Sequence, residues 1–433
     1  MVVVLMALVA VTLVAGAHYY IWRRLVRDTT AAGGTARKVG TAVLVLLPVL
    51  TVAGVGLGRG EALPFSLKQI LGWPAYMWLA TLMYLLLALL VGEAVRPLLR
   101  RVLDRRAAAA GGTATATAPV TATAPAEEPV TVGAGAGTGT PAGLGTDTTD
   151  TAPAAPAADP SRRLFVSRVV GGAAAAAALA TVGYGTANVL RGPTVKRVTV
   201  PLAKLPRAAH GYRIAVVSDI HLSPLLGRAH AQRVVDTINS TNPDLITIVG
   251  DLVDGTVADL GSAAEPLAQL TARHGSYFVT GNHEYFGDAG EWVDHVRELG
   301  VHPLENARVE IAGFDLAGVN DIAGEEEGEG PDFKKALGGR DPARASVLLA
   351  HQPVVIHDAV KHGVDLQLSG HTHGGQMWPA TYIAQAANPT LAGLEQYGDT
   401  SLYVTRGAGA WGPPVRVGAP SDVTVVQLAS RQA

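Results

Sequence analysis

The 433-residue sequence predicts an α-helical transmembrane region followed by an α/β domain of two packed sheets with helices outside. Three observations lead to this class. Three apolar stretches of membrane-spanning length lie near the N-terminus. A low-complexity segment of Ala, Thr, Gly and Pro follows them. Beyond Pro193, short β-rich runs alternate with amphipathic helical patterns.

Apolar residues make up 48% of the chain, which is high for a soluble protein, and the excess sits in the first 190 residues. The formal charge of -2 supplies no global field for a polyanion, so no nucleic-acid partner is expected. Cysteine is absent, which removes thiolate metal sites, disulfides and cysteine nucleophiles together.

Residues 2–21, 39–57 and 70–91 are each nearly free of charge and long enough to cross about 30 Å of hydrocarbon. The first has no basic leader and two further spans follow it, so it reads as a span and not as a cleaved signal. Arg23, Arg24, Arg27, Arg37 and Lys38 lie between the first two spans, and Arg96, Arg100, Arg101, Arg105 and Arg106 follow the third. Only Arg59 and Lys68 lie between spans two and three, so the positive-inside rule places the N-terminus outside.

Residues 107–160 cannot bury a core and read as a disordered linker. Next, Arg162 and Arg163 precede a mildly hydrophobic stretch that reaches Leu190. A twin arginine in that setting resembles a bacterial twin-arginine export signal, which implies a twin-arginine translocase as partner. An ordinary fourth span is the alternative. Either sends the following domain outward, and the lack of a small-x-small cleavage site predicts a retained anchor. The expected division is a three-span region (1–106), linker (107–160), signal or fourth anchor (161–192) and globular domain (193–433).

Within the last part, residues 213–218, 245–249 and 277–280 read as buried strands, with helices over 228–239, 257–272 and 289–299. A second set of strands is expected at 309–319, 347–349, 366–368, 403–405 and 423–428, with only one helix among it. Polar residues follow the strands: Asp219 and His221, Asp251, Asn282 and His283, His351, then His371 and His373. The C-terminal edge of an open α/β sheet is where ligands bind. Carboxylate and imidazole donors without thiolate suit divalent ions such as Mn, Fe or Zn. Two such ions sharing a carboxylate hold a phosphate by two oxygens and activate a bridging water. The DxH spacing of Asp219 and His221 is expected to point both side chains to one face of an extended strand end, and His371 and His373 likewise. Gly250, Gly281 and Gly370 are expected to let the backbone turn sharply into the site.

The ordered blocks Asp219-Ile220-His221, Gly250-Asp251-Leu252-Val253-Asp254, Gly281-Asn282-His283-Glu284, His351 and Gly370-His371-Thr372-His373 resemble the calcineurin-like metallophosphoesterase superfamily. The resemblance implies a four-layer αββα sandwich and a binuclear phosphoric ester hydrolase whose nucleophile is a metal-bridging hydroxide. It implies that Asp219, His221, Asp251 and His373 hold one metal and that Asp251, Asn282, His351 and His371 hold the other. By the same resemblance His283 stabilises the transition state or protonates the leaving oxygen. Gly255 stands where protein phosphatases of the superfamily carry arginine. Together with the Ser369–Gln376 stretch and the membrane attachment, that departure resembles the bacterial membrane-associated phosphodiesterase branch.

Asp254 is expected to orient a ligand histidine or its loop, and Arg406 to touch a substrate phosphate or form a structural ion pair. Met377, Trp378, Pro379, Tyr382 and Ile383 read either as a lid packed on the core or as a contact with lipid or an apolar substrate tail. The functional expectation is hydrolysis of a phosphoester, a lipid-linked one included, at the outer face of a bacterial cell membrane. A transporter or sensor with a regulatory metal domain is the alternative, for which only Gly72 with Pro74 hints at a broken span.

Overall fold

The computed structural model describes residues 2–56, 63–111 and 160–432. Four helices come first: α1 (Val2–Ile21), α2 (Thr35–Gly56), α3 (Phe65–Gly111) and α4 (Pro160–Leu190). Among the described residues, α2, α3 and α4 are long and apolar enough to cross a membrane. Where Gly72 and Pro74 hint at a break, α3 continues unbroken. Its 47 residues span about 70 Å, so part of it must stand outside a hydrocarbon core of about 30 Å. It extends past the expected linker start to Gly111, and linker residues 112–159 lie outside the described residues, as does Arg59.

The globular part contains β1 (Thr194–Leu202), β2 (Arg213–Val217), α5 (Arg228–Ser240), β3 (Leu245–Val249), α6 (Val257–Ala264), β4 (Ser276–Val279), α7 (Ala289–Glu298) and β5 (His302–Pro303). There follow β6 (Ala307–Ile311), β7 (Phe314–Gly318), α8 (Phe333–Leu337), β8 (Ala345–Leu349), α9 (Ile356–Lys361), β9 (Leu366–Ser369) and α10 (Thr381–Ala387). The last strands are β10 (Gly393–Tyr397), β11 (Thr400–Val404) and β12 (Asp422–Ser430). One sheet has the order β1-β12-β2-β3-β4-β5 and the other β10-β11-β9-β8-β7-β6.

Period-two patterning builds the layers. Ile214 and Val216 of β2 face the second sheet, where they pack with Leu316, Val347 and Leu368. Ala215 and Val217 face outward onto Val234, Leu260 and Trp292 of α5, α6 and α7. On the far side, Ala317 and Leu348 meet Ile356 and Ala359 of α9. Each fully buried aliphatic side chain contributes about 1.5–3 kcal/mol, which locks the two sheets together. The architecture is the four-layer αββα sandwich preceded by apolar helices.

Four expectations are corrected. The single strand expected at 309–319 is a hairpin, because Gly313 at φ 101 turns β6 back as β7. The helix expected over 257–272 ends at Ala264, and a 3-10 turn, Glu265–Gln269, continues with Pro266 in its first turn. The last strand, expected in the second set, joins the first sheet between β1 and β2. The second set carries three short helices where one was expected. The sequence reading also passed over β1, whose alternating exposed and half-buried residues mark it as an edge strand.

Candidate metal centre

The C-terminal ends of β2, β3 and β4 meet those of β8 and β9, and the loops beyond them carry every candidate ligand. Asp219, His221 and His373 form one group of possible donors, and Asp251, His351 and His371 a second. His221 Nε2 and His373 Nε2 face each other at 3.0 Å, and Asp219 Oδ1 lies 3.3 Å from the latter. In the second group Asn282 Oδ1 faces His371 Nδ1 at 3.0 Å. Asp251 lies between the groups: its Oδ2 is 3.1 Å from His351 Nε2, 3.7 Å from His221 Nε2 and 3.9 Å from His283 Nε2.

The convergence has a different backbone origin from the one expected. Asp219, His221, Asp251, His371 and His373 all adopt left-handed φ values, between 48° and 70°. Such a conformation costs a non-glycine residue on the order of 1–3 kcal/mol. Paired ligands therefore share a direction through successive left-handed turns, not through strand alternation. Backbone bonds hold these turns: Asp219 N donates to Gly250 O at 3.0 Å, His221 N to Asp251 O at 3.1 Å and Gly370 N to His351 O at 2.9 Å. Of the three glycines expected to turn sharply, only Gly250 has a positive φ, at 75°. Gly370 is required for space, since a Cβ there would overlap Ser218 Oγ and Asp219 Oδ2.

Polar partners outside the groups fix ring orientation. His351 Nδ1 donates to Val249 O at 2.8 Å, which turns its Nε2 into the site toward Asp251 Oδ2, 3.1 Å away. Asp254 Oδ1 accepts from His221 Nδ1 at 2.8 Å and lies 2.7 Å from His283 Nδ1. Glu284 is fully buried and accepts from three amides, those of Asp251, Leu252 and Gly281. It thereby clamps the Asp251 loop to the His283 loop.

Burial opposes charge throughout, and charge pairing decides the outcome. Burial would lower the His221 imidazole, but the carboxylates of Asp254, Asp251 and Asp219 raise it to about 9. Against burial, Asp251 raises His351 well above its ordinary value. Burial would raise Asp251, but His351, His221 and His283 hold it well below the usual carboxylate range. Asp254, despite burial, falls to about 2 beside His221 and His283. Burial, with His351 nearby, lowers His371 to about 4; burial with His221 and Arg416 takes His373 well below its ordinary value. Neutral His371 and His373 keep lone pairs available to a cation near pH 7. The inward-turned His351 nitrogen, the facing His221 and His373 imidazoles and the Asp251 carboxylate between the groups fit divalent ions of intermediate hardness.

Sequence reasoning missed Arg416. Its guanidinium is fully buried and donates to Gly409 O at 2.6 Å, Ala419 O at 3.1 Å, Arg406 O at 2.8 Å and both His373 O and Nδ1 at 3.2 Å. Its signal was an arginine between two valines, Val415 and Val417, where a charge needs buried partners. Arg406, singled out instead, packs its side-chain carbons over Gly374. Two large apolar side chains beside His283 were also missed: Phe286, with ring centroids 4.6 Å apart, and Trp411 at 5.7 Å.

Comparison with known proteins agrees with this geometry. The family model described as calcineurin-like phosphoesterase matches residues 212–375. The chain is 40% identical over 259 residues to a Danio rerio protein named "Transmembrane protein with metallophosphoesterase domain", covering 57% of this chain and 59% of that protein. An uncharacterized metallophosphoesterase of Helicobacter pylori is 36% identical over 58% of this chain and 68% of its own length. For the uncharacterized metallophosphoesterase YkuE of Bacillus subtilis the values are 31%, 62% and 98%. The chain belongs to the calcineurin-like metallophosphoesterase family. It spans a little over half the length of the transmembrane relatives it matches. Two of the matched relatives carry the name of a transmembrane protein, and this chain has helices long and apolar enough to cross a membrane.

Proposed function

We propose that the chain is a binuclear phosphodiesterase of a bacterial cell membrane, multi-pass, with its catalytic domain on the extracytoplasmic side. The observation that carries this reading is Asp251 Oδ2, which lies within 4 Å of imidazole nitrogens from both ligand groups. Asp219, His221, Asp251 and His373 would hold one ion, and Asp251, Asn282, His351 and His371 the other. When bound, divalent Mn, Fe or Zn supplies charge neutralisation at the phosphoryl oxygens and a nucleophilic water. The water oxygen bonds to phosphorus, the P–O bond to the leaving alcohol breaks, and the leaving oxygen takes a proton. His283 is placed to give that proton: Nδ1 is engaged by Asp254, so Nε2 is the nitrogen left to face substrate. Asp254 holds His221 and His283 in register, and Arg416 holds His373. Arg406, whose side chain packs over Gly374 beside His373, would touch a substrate phosphate or form a structural ion pair.

The division into a three-span region, linker, anchor and catalytic domain at about 106, 160 and 192 belongs to the same reading. Orientation is supported by where the catalytic domain touches the helices. Lys68 near the start of α3 pairs with Asp259 at 2.6 Å, and Asn188 near the end of α4 donates to Arg416 O at 3.4 Å. These helix ends lie opposite the arginine-rich connections, which the positive-inside rule assigns to the cytoplasm. The twin arginine, Arg162 and Arg163, would direct the folded domain through a twin-arginine translocase. A substrate at that face includes the lipid-linked phosphodiesters.

Full-length protein in detergent with added Mn should hydrolyse bis-p-nitrophenyl phosphate. Asp251→Asn and His283→Ala should each lose at least about 100-fold in kcat; wild-type turnover in both would refute the assignment. Replacing Arg162 and Arg163 with lysine should leave the domain protease-protected in spheroplasts. Continued exposure would remove the twin-arginine route.

A further inference from the structure

The catalytic domain does not end where the membrane helices begin. A cavity of about 280 Å³ lies between them, and His283 and Asp254 form part of its wall. Small-molecule pockets start at about 300 Å³, so this space takes a fragment of a larger ligand. Part of its opposite wall is α3, through Phe65, Lys68, Gly72 and Tyr76. Their spacing of three, four and four residues places all of them on one helical face. This helix is also one of those long and apolar enough to cross a bilayer.

Two features give the cavity its chemistry. Phe286 and Trp411, which flank the His283 ring, also line the space and remain 72% and 49% exposed. Large apolar side chains left open beside a hydrolytic site mark a place where an apolar group binds. The other feature is Lys68, whose charge is already paired with Asp259, while Leu225, Leu260 and Tyr76 add apolar surface to the wall beside the polar Ser223 and Thr256. Contact between α3 and the catalytic domain then continues down the helix. Phe65 packs against the catalytic core, and Tyr84 Oη donates to Trp378 O at 3.0 Å. From Phe65 to Tyr84 is about 28 Å of helix at 1.5 Å per residue. The domain therefore lies along the flank of α3, beside the exposed apolar side chains of Trp378, Tyr382 and Ile383.

We propose that the substrate is a membrane amphiphile, a phosphodiester bearing a hydrocarbon chain, whose chain lies between His283 and the α3 face of Phe65, Gly72 and Tyr76. The proposal rests on the phosphodiesterase reading above and assigns α3 a second role as a wall of the substrate site. Gly72 is its most sensitive point. A Cβ there would lie 3.2 Å from Leu225 Cδ2, which also lines the cavity, so a larger side chain displaces Leu225 and narrows the space.

The test uses the full-length protein with Mn in one detergent and two chromogenic probes, bis-p-nitrophenyl phosphate and p-nitrophenyl hexadecyl phosphate. The wild type should prefer the long-chain probe at least about tenfold in kcat/KM, since burial of two methylenes is enough for that ratio. Gly72→Leu should reduce the ratio about tenfold, whereas Leu90→Phe, on an exposed part of α3, should keep it. In parallel, a hexadecyl phosphodiester carrying a diazirine near its phosphate should label residues 65–76 of the wild type. This second readout does not depend on the folding of any variant. Turnover of the short probe without chain preference, or labelling confined to other helices, would overturn the proposal and leave the phosphodiesterase reading standing. Failure of the wild type to hydrolyse either probe would defeat that reading instead.

Discussion

Asp254→Asn isolates the residue that joins the metal site to the proposed proton donor. In the wild type one oxygen, Oδ1, serves both His221 Nδ1 at 2.8 Å and His283 Nδ1 at 2.7 Å. Asparagine keeps the shape and one acceptor oxygen but removes the charge. A hydrogen bond to a charged group is worth about 1.5–3 kcal/mol and a neutral one about 0.5–1.5. The substitution thus forfeits about 1 kcal/mol at each imidazole, or about 2 kcal/mol in all. If the whole loss falls on the competent site, it amounts to roughly 30-fold. That is within the 10–100-fold range typical of losing a partner that orients a metal ligand.

The assay is a Mn titration of phosphodiester hydrolysis by the full-length protein, with the thermal midpoint measured alongside. The concentration for half-activation should rise between about 10- and 100-fold, because His221 is less well held, and kcat should fall as His283 loses its anchor. Asp254→Ala should lose more on both measures, since neither ring then has an acceptor. Unchanged metal dependence together with kcat within about twofold of wild type would refute the reasoning. A lowered thermal midpoint with normal kinetics would show Asp254 to be a packing residue only.

Arg416→Met should be more damaging to folding than any single ligand substitution, because it strips donors from the carbonyls of Gly409, Ala419, Arg406 and His373. Each buried group left unsatisfied costs about 1–3 kcal/mol, so a loss of about 3 kcal/mol or more is expected in thermal unfolding, and an unchanged midpoint would contradict it. The thermal midpoint of the metal-free protein in chelator should fall as pH rises above about 6.5. His221, raised to about 9, contributes stability that is present below its unfolded value near 6.5 and lost as pH rises toward 9. His371, lowered to about 4, contributes stability that is present above 6.5 and lost as pH falls toward 4, where only the unfolded chain has taken up the proton. A midpoint that keeps rising to pH 9 would reverse the assigned charge states. Added Mn should flatten the alkaline limb by replacing the proton on His221.

Much of this was legible in the chain because the informative features are local. Leu245 to Val249 is a continuous apolar run with buried-strand character, and it is β3 as read. The ligand blocks follow strands whose ends the alternation already locates. What the sequence concealed depends on distant partners. Residues 309–319 look like one strand until Gly313 turns them into a hairpin. The place of β12 follows from its antiparallel pairing with β2, more than 200 residues earlier in the chain. Likewise the left-handed turns at Asp219 and His221 have no signature of their own. They are paid for by the amides of Ala408 and Gly409, which donate to Ser218 O at 2.9 Å and Asp219 O at 2.8 Å. Arg416 was invisible as a functional residue for the same reason: its partners come from three separate segments.

The apolar helices reach the site through these same distant contacts. Only Arg191, Gly192 and Pro193 separate the end of α4 from β1. In addition Arg416 N donates to Gly185 O of α4 at 3.0 Å, while the guanidinium of the same residue holds His373. A Cβ at Gly185 would meet Val415 Cγ1 at 2.5 Å and Val417 Cγ2 at 3.0 Å, so the fit of α4 against this loop has no slack. One residue, Arg416, therefore touches both α4 and the candidate metal ligand His373. The picture of an independent hydrolase on a tether, natural from the sequence, gives way to a site assembled from two sheets and braced by two helices. One helix supports the backbone behind His373, and the other closes the space in front of His283.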